Sequence, residues 1–197
     1  MKNKRFGVSE LTLNAMFMAI TIVLSLVPFL GMISIGVISI TTMHIPVIVA
    51  GIVLGWKGGL INGIFFGLAS MYIAATRPVG LLDVLFVNPI VAVLPRALFG
   101  LSVGLLSDGL KRITRNNVVS SSITAVVSTL LHAVFVLSIL YFVAISSTDA
   151  AILEAMPSNV WIFLGSIASL NTALEVGIAV LIGVPVSLAI QHAQSNR

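Results

Sequence analysis

Leu85-Phe-Val-Asn-Pro-Ile-Val-Ala-Val-Leu-Pro-Arg-Ala-Leu-Phe-Gly-Leu-Ser-Val-Gly-Leu-Leu-Ser-Asp-Gly-Leu110 decides the class of this fold. Its charges are Arg96 in the middle and Asp108 near the end. A run of about 20 apolar residues crosses a ~30 Å hydrocarbon core as a helix, so this stretch reads as a membrane span. Pro89 and Pro95 read as bends, which membrane helices tolerate. Arg96 lies deep in the span, where a charge costs about 2.5–3.5 kcal/mol on insertion scales. His132 and Glu175 lie at similar depth in two other apolar runs. Three such residues in one small chain point to a polar pocket inside a membrane protein.

The rest of the chain agrees. Of 197 residues, 58% are hydrophobic and 8% charged, with mean hydropathy +1.17. Soluble domains carry about 25% charged residues, so this is a polytopic membrane protein read as one domain over residues 1–197. The expected class is all-α, with spans over about 9–30, 42–54, 58–75, 85–110, 118–145 and 159–191. Ser9 reads as the first N-cap and Glu10 favours the helix dipole. The second span is short for the core, which predicts tilt or a start below the surface. The first hydrophobic run reads as a retained helix and not a signal peptide.

Lysine and arginine set the orientation. With a cytoplasmic N-terminus, Lys2, Lys4, Arg5, Lys57, Lys111, Arg112, Arg115 and Arg197 all fall inside. Arg77 alone falls in an outer loop, and Asp83, Asp149 and Glu154 are outer. An N-in, C-in bundle follows. The net charge of +4 is explained by this sidedness, so nucleic acid is not an expected partner. There is no cysteine, which excludes disulfides, thiolate metal sites and cysteine nucleophiles. The outer connections 31–41, 76–84 and 146–158 are long, whereas the inner turn Gly55-Trp-Lys-Gly58 is tight. Long outer loops over a midplane pocket suit loading from outside, although ordinary variable loops look the same.

Gly51, Gly55, Gly59, Gly63 and Gly67 recur every four residues, and Gly100 and Gly104 repeat the interval. This spacing lets helix backbones approach closely in lipid. Ala15 and Ala19 form a similar pair, either packed internally or forming a docking surface for another membrane subunit. Arg96 can receive a carboxylate or phosphate through two parallel hydrogen bonds, or pair internally with Glu175. Asn171 and Glu175 are one helical turn apart and share a face. His132 sits near midspan, while His44, Asn88 and Thr76 are weaker candidates near the outer mouth. No G-x-x-x-x-G-K-[ST] loop is present, so this chain does not hydrolyse ATP by itself. No H-E-x-x-H pair is present, and neither a metal nor another cofactor is expected. Gly100-Leu-Ser-Val-Gly104 matches a serine-hydrolase pattern by letter, with Ser102 as the nucleophile. That motif needs a strand-to-helix elbow, and this stretch is mid-helix. A structural membrane subunit, whose buried polar groups pair only with each other, is the other alternative.

The chain resembles the substrate-binding S components of energy-coupling factor (ECF) vitamin transporters. The resemblance covers size, six spans, N-in topology and the Ala15-x-x-x-Ala19 pair. Two runs look like those of pantothenate-type members: Ile40-Thr-Thr-Met-His-Ile-Pro-Val-Ile-Val-Ala-Gly-Ile-Val-Leu-Gly55 and Leu94-Pro-Arg-Ala-Leu-Phe-Gly100. Trp56-Lys57 departs from the pattern, where a proline is common in relatives. The resemblance implies a multi-pass subunit of a bacterial cell membrane that binds a vitamin from outside, with the first outer loop as a lid. It implies that Ala15 and Ala19 contact a transmembrane coupling subunit (T component), which works with two cytoplasmic ATPases. Pantothenate carries a carboxylate suited to Arg96, and an amide and hydroxyls suited to His132, Asn171 and Glu175. A hydroxymethylpyrimidine is the runner-up, with Arg96 then paired to Glu175. Folate and riboflavin need more aromatic surface and rank lower.

Overall fold

In a computed structural model, the structure describes residues 7–27, 30–35, 38–78, 81–157 and 159–196. The basic residues Lys2, Lys4, Arg5 and Arg197 lie outside the described residues. Among the described residues, the regular structure is helical apart from one short hairpin. The first helix α1 spans Val8–Leu26, and strands β1 (Met32–Ile35) and β2 (Ile38–Thr41) pair antiparallel, with Met32 opposite Thr41. Helix α2 spans Ile45–Thr76, followed by a 3-10 turn at Asp83–Val87 and α3 at Pro89–Thr114. Then come α4 (Asn117–Ile145), a short α5 (Ala150–Ala155) and α6 (Val160–Ile178). A π-helical turn at Ala179–Gly183 joins α6 to α7 (Val184–Ser195). Among the described residues, five helical stretches are long and apolar enough to cross a membrane.

Val47, Ile48, Phe66 and Phe99 of α2 and α3 lie in an apolar core, whereas α1 and the first half of α4 are inside-out by the standard of a soluble protein. The buried face of α1 carries Asn14, Phe17, Thr21 and Ser25, while Leu11, Met16, Ile20 and Val23 point outward. On α4, Ser120, Ser121, Thr124, Ser128 and Thr129 are fully buried, and Leu130, Val134 and Phe142 are exposed. Lipid is as apolar as leucine, so no hydrophobic force drives these helices together, and small and polar residues can share the interior with the apolar ones.

The glycines make the closest contact. α2 packs on α3 more extensively than any other pair. A Cβ added at Gly100 would stand 2.1 Å from the Gly59 carbonyl oxygen, and one at Gly63 would stand 2.3 Å from that of Arg96. Gly104 lies against the backbone of Trp56 in the same way. The 32 residues of α2 do not form one rod. Gly55 has φ 72 and ψ −165, a conformation essentially confined to glycine. A Cβ on Gly59 would meet the Gly51 Cα at 3.2 Å, whereas eight residues of unbroken helix span about 12 Å. The chain therefore turns back on itself at Gly55. Beside the break, the Ile52 carbonyl accepts hydrogen bonds from Lys111 Nζ (2.6 Å) and Gln191 Nε2 (3.4 Å). This fastens the ends of α3 and α7 to the turn and gathers Lys57 and Lys111 at one end of the bundle.

Two local expectations are corrected. Gly7, not Ser9, is the N-cap of α1, and its N–H donates to the Glu10 carboxylate at 3.0 Å. Ser9 falls inside the first turn because the acidic side chain three residues after Gly7 closes the cap from there. Pro89 is not a bend but the first residue of α3, where its missing N–H costs nothing.

Candidate functional site

Arg96, His132, Asn171, Thr172 and Glu175, from three helices, meet at one cavity of about 210 Å³. A single water needs ~10–15 Å³ by the same measure, so the space suits a small molecule. The floor and walls come from α3 (Arg96), α4 (His132, Val136, Leu137), α6 (Asn171, Thr172, Glu175) and the second half of α2 (Phe66, Ser70, Ile73). Thr41 at the end of β2, Arg77, and Asp83 and Phe86 of the 3-10 turn complete the lining.

Arg96 owes its position to the residue before it. In an α-helix the N–H of residue 95 would bond the carbonyl of Val91, but Pro95 has no N–H. The Arg96 Nη1 donates to that Val91 carbonyl instead, at 2.9 Å. One corner of the guanidinium is thereby fixed to its own helix. Its carbon lies 4.7 Å from the Phe86 ring centre and 5.6 Å from that of Phe66, within cation–π range. Arg96 is 7% exposed, and its Nε is buried with no hydrogen-bond partner among the described residues. Among the described residues no hydrogen bond or close ion pair joins it to Glu175.

Glu175 is held elsewhere. Its Oε1 accepts a hydrogen bond from the backbone N–H of Thr41 at 3.1 Å, joining α6 to the outer hairpin. Asn171, one turn earlier, lines the same cavity, and its Oδ1 is buried without a hydrogen-bond partner among the described residues. His132 is 5% exposed, and neither ring nitrogen has a hydrogen-bond partner among the described residues. Its ring centre is 4.6 Å from Phe99, 5.7 Å from Phe66 and 6.2 Å from His44. Buried polar atoms are normally paired, so unpartnered donors and acceptors facing one space mark a surface shaped for polar ligand groups.

The structure thus brings Arg96, His132, Asn171 and Glu175 to one space. His44 stands behind His132, fully buried, and does not line the cavity. Asn88 is taken up as the N-cap of α3, accepting from the Ile90 N–H at 2.9 Å, and is not in the lining. The Thr76 hydroxyl donates back to the Tyr72 carbonyl at 2.8 Å on the exposed side of the helix end. Ser102 donates to the Phe99 carbonyl at 2.7 Å within α3 and is not in the lining with His132. Phe66, Phe86, Thr41 and Thr172 were not singled out from sequence. Thr172 follows Asn171, and Phe66 sits beside Gly67 on the glycine face; Phe86 carries no signal beyond being aromatic near Asn88-Pro89.

Comparison with known proteins finds named relatives and a family. A Leuconostoc mesenteroides subsp. mesenteroides protein named pantothenate transporter PanT is 34% identical over 99 residues, 48% of this chain and 48% of that protein. In that match the chain spans about half the length of its relative. A Lactococcus lactis subsp. cremoris protein named pantothenic acid transporter PanT is 28% identical over 208 residues, 98% of this chain and 99% of that protein. The family described as ECF transporter, substrate-specific component, matches residues 9–187, and the chain belongs to that family.

Proposed function

We propose that this chain is the pantothenate-binding subunit of an ECF-type uptake transporter in a bacterial cell membrane. The observation that carries the reading is Arg96: a buried guanidinium, tethered to Val91, with its Nε unpaired and no carboxylate hydrogen-bonded to it among the described residues. A buried charge is expensive unless paired, so the cavity is built for an anionic group. Pantothenate has one carboxylate, and its amide and hydroxyls meet His132, Asn171 and Thr172. The names of the two relatives point the same way.

The bundle crosses the membrane six times in this reading, because the reversal at Gly55 divides α2 into two short passes. Lys57, Lys111, Arg112 and Arg115 belong to one end and Arg77 to the other, which supports a cytoplasmic N-terminus. Arg77 and Asp83 then stand at the outer mouth of the cavity. Ala15 and Ala19 are exposed on α1, in position to meet a coupling subunit that works with two ATPases. Native mass spectrometry of the purified chain tests the ligand directly. A co-purified mass equal to pantothenate, and saturable binding by titration calorimetry, is the expected result. A pyrimidine mass, or no binding of pantothenate at millimolar concentration, overturns it.

A further inference from the structure

Asn14 of α1 and Asn62 of α2 are 48 positions apart in sequence and meet inside the bundle. Both are buried, at 3% and 1% exposure. The Asn62 Nδ2 donates to the Asn14 Oδ1 at 2.8 Å. Each amide is also moored to its own helix. Asn14 Nδ2 donates to the Glu10 carbonyl at 3.0 Å, and Asn62 Nδ2 to the Gly58 carbonyl at 2.9 Å. Neither residue lines the cavity.

The other ties of α1 are of a different kind. Among the described residues, α1 packs chiefly on α2. Phe17 forms a buried cluster with Val49 and Ala50, which precede the turn at Gly55, whereas Asn62 follows it. The helix therefore rests on both halves of α2. Thr21 and Ser25 donate to carbonyls of α1 itself. Arg77 donates to the Ser25 and Leu26 carbonyls at 3.0 and 3.4 Å. Carbonyls at a helix end point along its axis, so this tie holds the end without fixing the rotation. Apolar packing is non-directional. The Asn14–Asn62 bond is directional, and in hydrocarbon no water replaces a lost partner.

Rotation matters because of what lies beside Asn14. At 3.6 residues per turn, Ala15 stands about 100° and Ala19 about 140° round the helix from it. Both are exposed, with Leu11, Ile22 and Leu26 on the same side. Turning α1 by one residue would carry Asn14 into lipid and this surface away from its present direction.

We propose that Asn14 and Asn62 are positioning residues that set the rotation of α1 and so aim its Ala15 and Ala19 surface at the coupling subunit. The aim rests on the transporter reading given above; the rotation does not.

The chain has no cysteine, so pairs of spin labels can be placed at will. Labels at Ala15→Cys and at Leu130→Cys, on the exposed face of α4, report the rotation of α1 in the full purified chain by pulsed electron resonance. The native pair should give one narrow distance distribution, and Asn62→Leu a shifted or broadened one. Asn14→Leu with Asn62→Leu leaves no amide buried and gives the same result if the single variant does not fold. Without labels, both variants should bind pantothenate within about threefold of the native chain, whereas recovery of a complex with co-expressed coupling and ATPase subunits should fall about tenfold or more.

An unchanged distance distribution in both variants overturns the proposal. So does a loss of pantothenate affinity as large as the loss of complex, because the pair then holds the whole bundle together. An altered distance with full recovery of the complex overturns the aim. An altered distance in a chain whose native form joins no coupling subunit supports the set rotation and rejects the transporter reading.

Discussion

Replacing Arg96 by alanine is the sharpest test of how the cavity works. The guanidinium does two things in the structure. Nη1 satisfies the Val91 carbonyl left open by Pro95, and the rest of the group faces the cavity between Phe66 and Phe86. Alanine removes both. Truncating one partner of a buried, hydrogen-bonded charge pair costs about 2–5 kcal/mol of binding. At 1.4 kcal/mol per factor of ten, the Kd for pantothenate should rise by about 30-fold to a few thousand-fold. Lysine keeps the charge but is a single point donor. It cannot hold Val91 and also present two parallel donors to a carboxylate, so Arg96→Lys should still cost about tenfold.

The assay is titration calorimetry on purified protein, with a thermal melt to show that the variants fold. Pantothenol, in which an alcohol replaces the carboxylate, isolates the interaction. The native chain should bind pantothenol far more weakly than pantothenate, and Arg96→Ala should bind the two about equally. Such a cycle assigns the lost energy to one pair of groups. Native affinity for pantothenol equal to that for pantothenate, or an Arg96→Ala Kd within threefold of native, would refute the assignment of Arg96 to the carboxylate.

Two further substitutions probe the frame and the discarded chemistry. Gly100→Ala places a methyl 2.1 Å from the Gly59 carbonyl oxygen, a backbone atom that cannot swing aside. It should destabilise the bundle by about 1–3 kcal/mol, read as a lower melting temperature in detergent; an unchanged melt would show that the helices separate easily at this contact. Ser102→Ala removes a hydroxyl that donates to the Phe99 carbonyl in its own helix turn. Pantothenate binding should be unchanged, and a serine-reactive fluorophosphonate probe should leave the native protein unlabelled; labelling at Ser102 would revive the hydrolase alternative.

The membrane class was legible from hydropathy because the bilayer imposes long apolar runs on any helical solution. The four polar residues that share the cavity were legible for the same reason. In lipid an ionisable or amide group must have a use, so Arg96, His132, Asn171 and Glu175 stand out against leucine and valine. What each one touches was not legible. The choice between a Glu175–Arg96 pair and separate roles depends on two helices' rotation and on a hairpin whose backbone supplies the partner, and backbone N–H groups leave no mark in a sequence. Phe86 was hidden for a related reason. An aromatic in an outer connection is an ordinary interfacial anchor until the 3-10 turn lays it over a guanidinium.

The Pro95-Arg96 pair shows how local covalent chemistry fixes a site in a membrane helix. A proline in mid-helix leaves the Val91 carbonyl without its usual donor, and no water in the hydrocarbon core replaces it. The side chain of the next residue supplies a donor, and by doing so gives up the freedom that makes a long arginine costly to order. Proline alone would leave a destabilised helix; arginine alone would leave a mobile charge. Together they give a guanidinium oriented before the ligand arrives, so less binding energy is lost to ordering the site. On this argument Pro95→Ala, which restores a backbone donor to Val91, releases Nη1 from its tether. The helix should gain stability while pantothenate affinity falls.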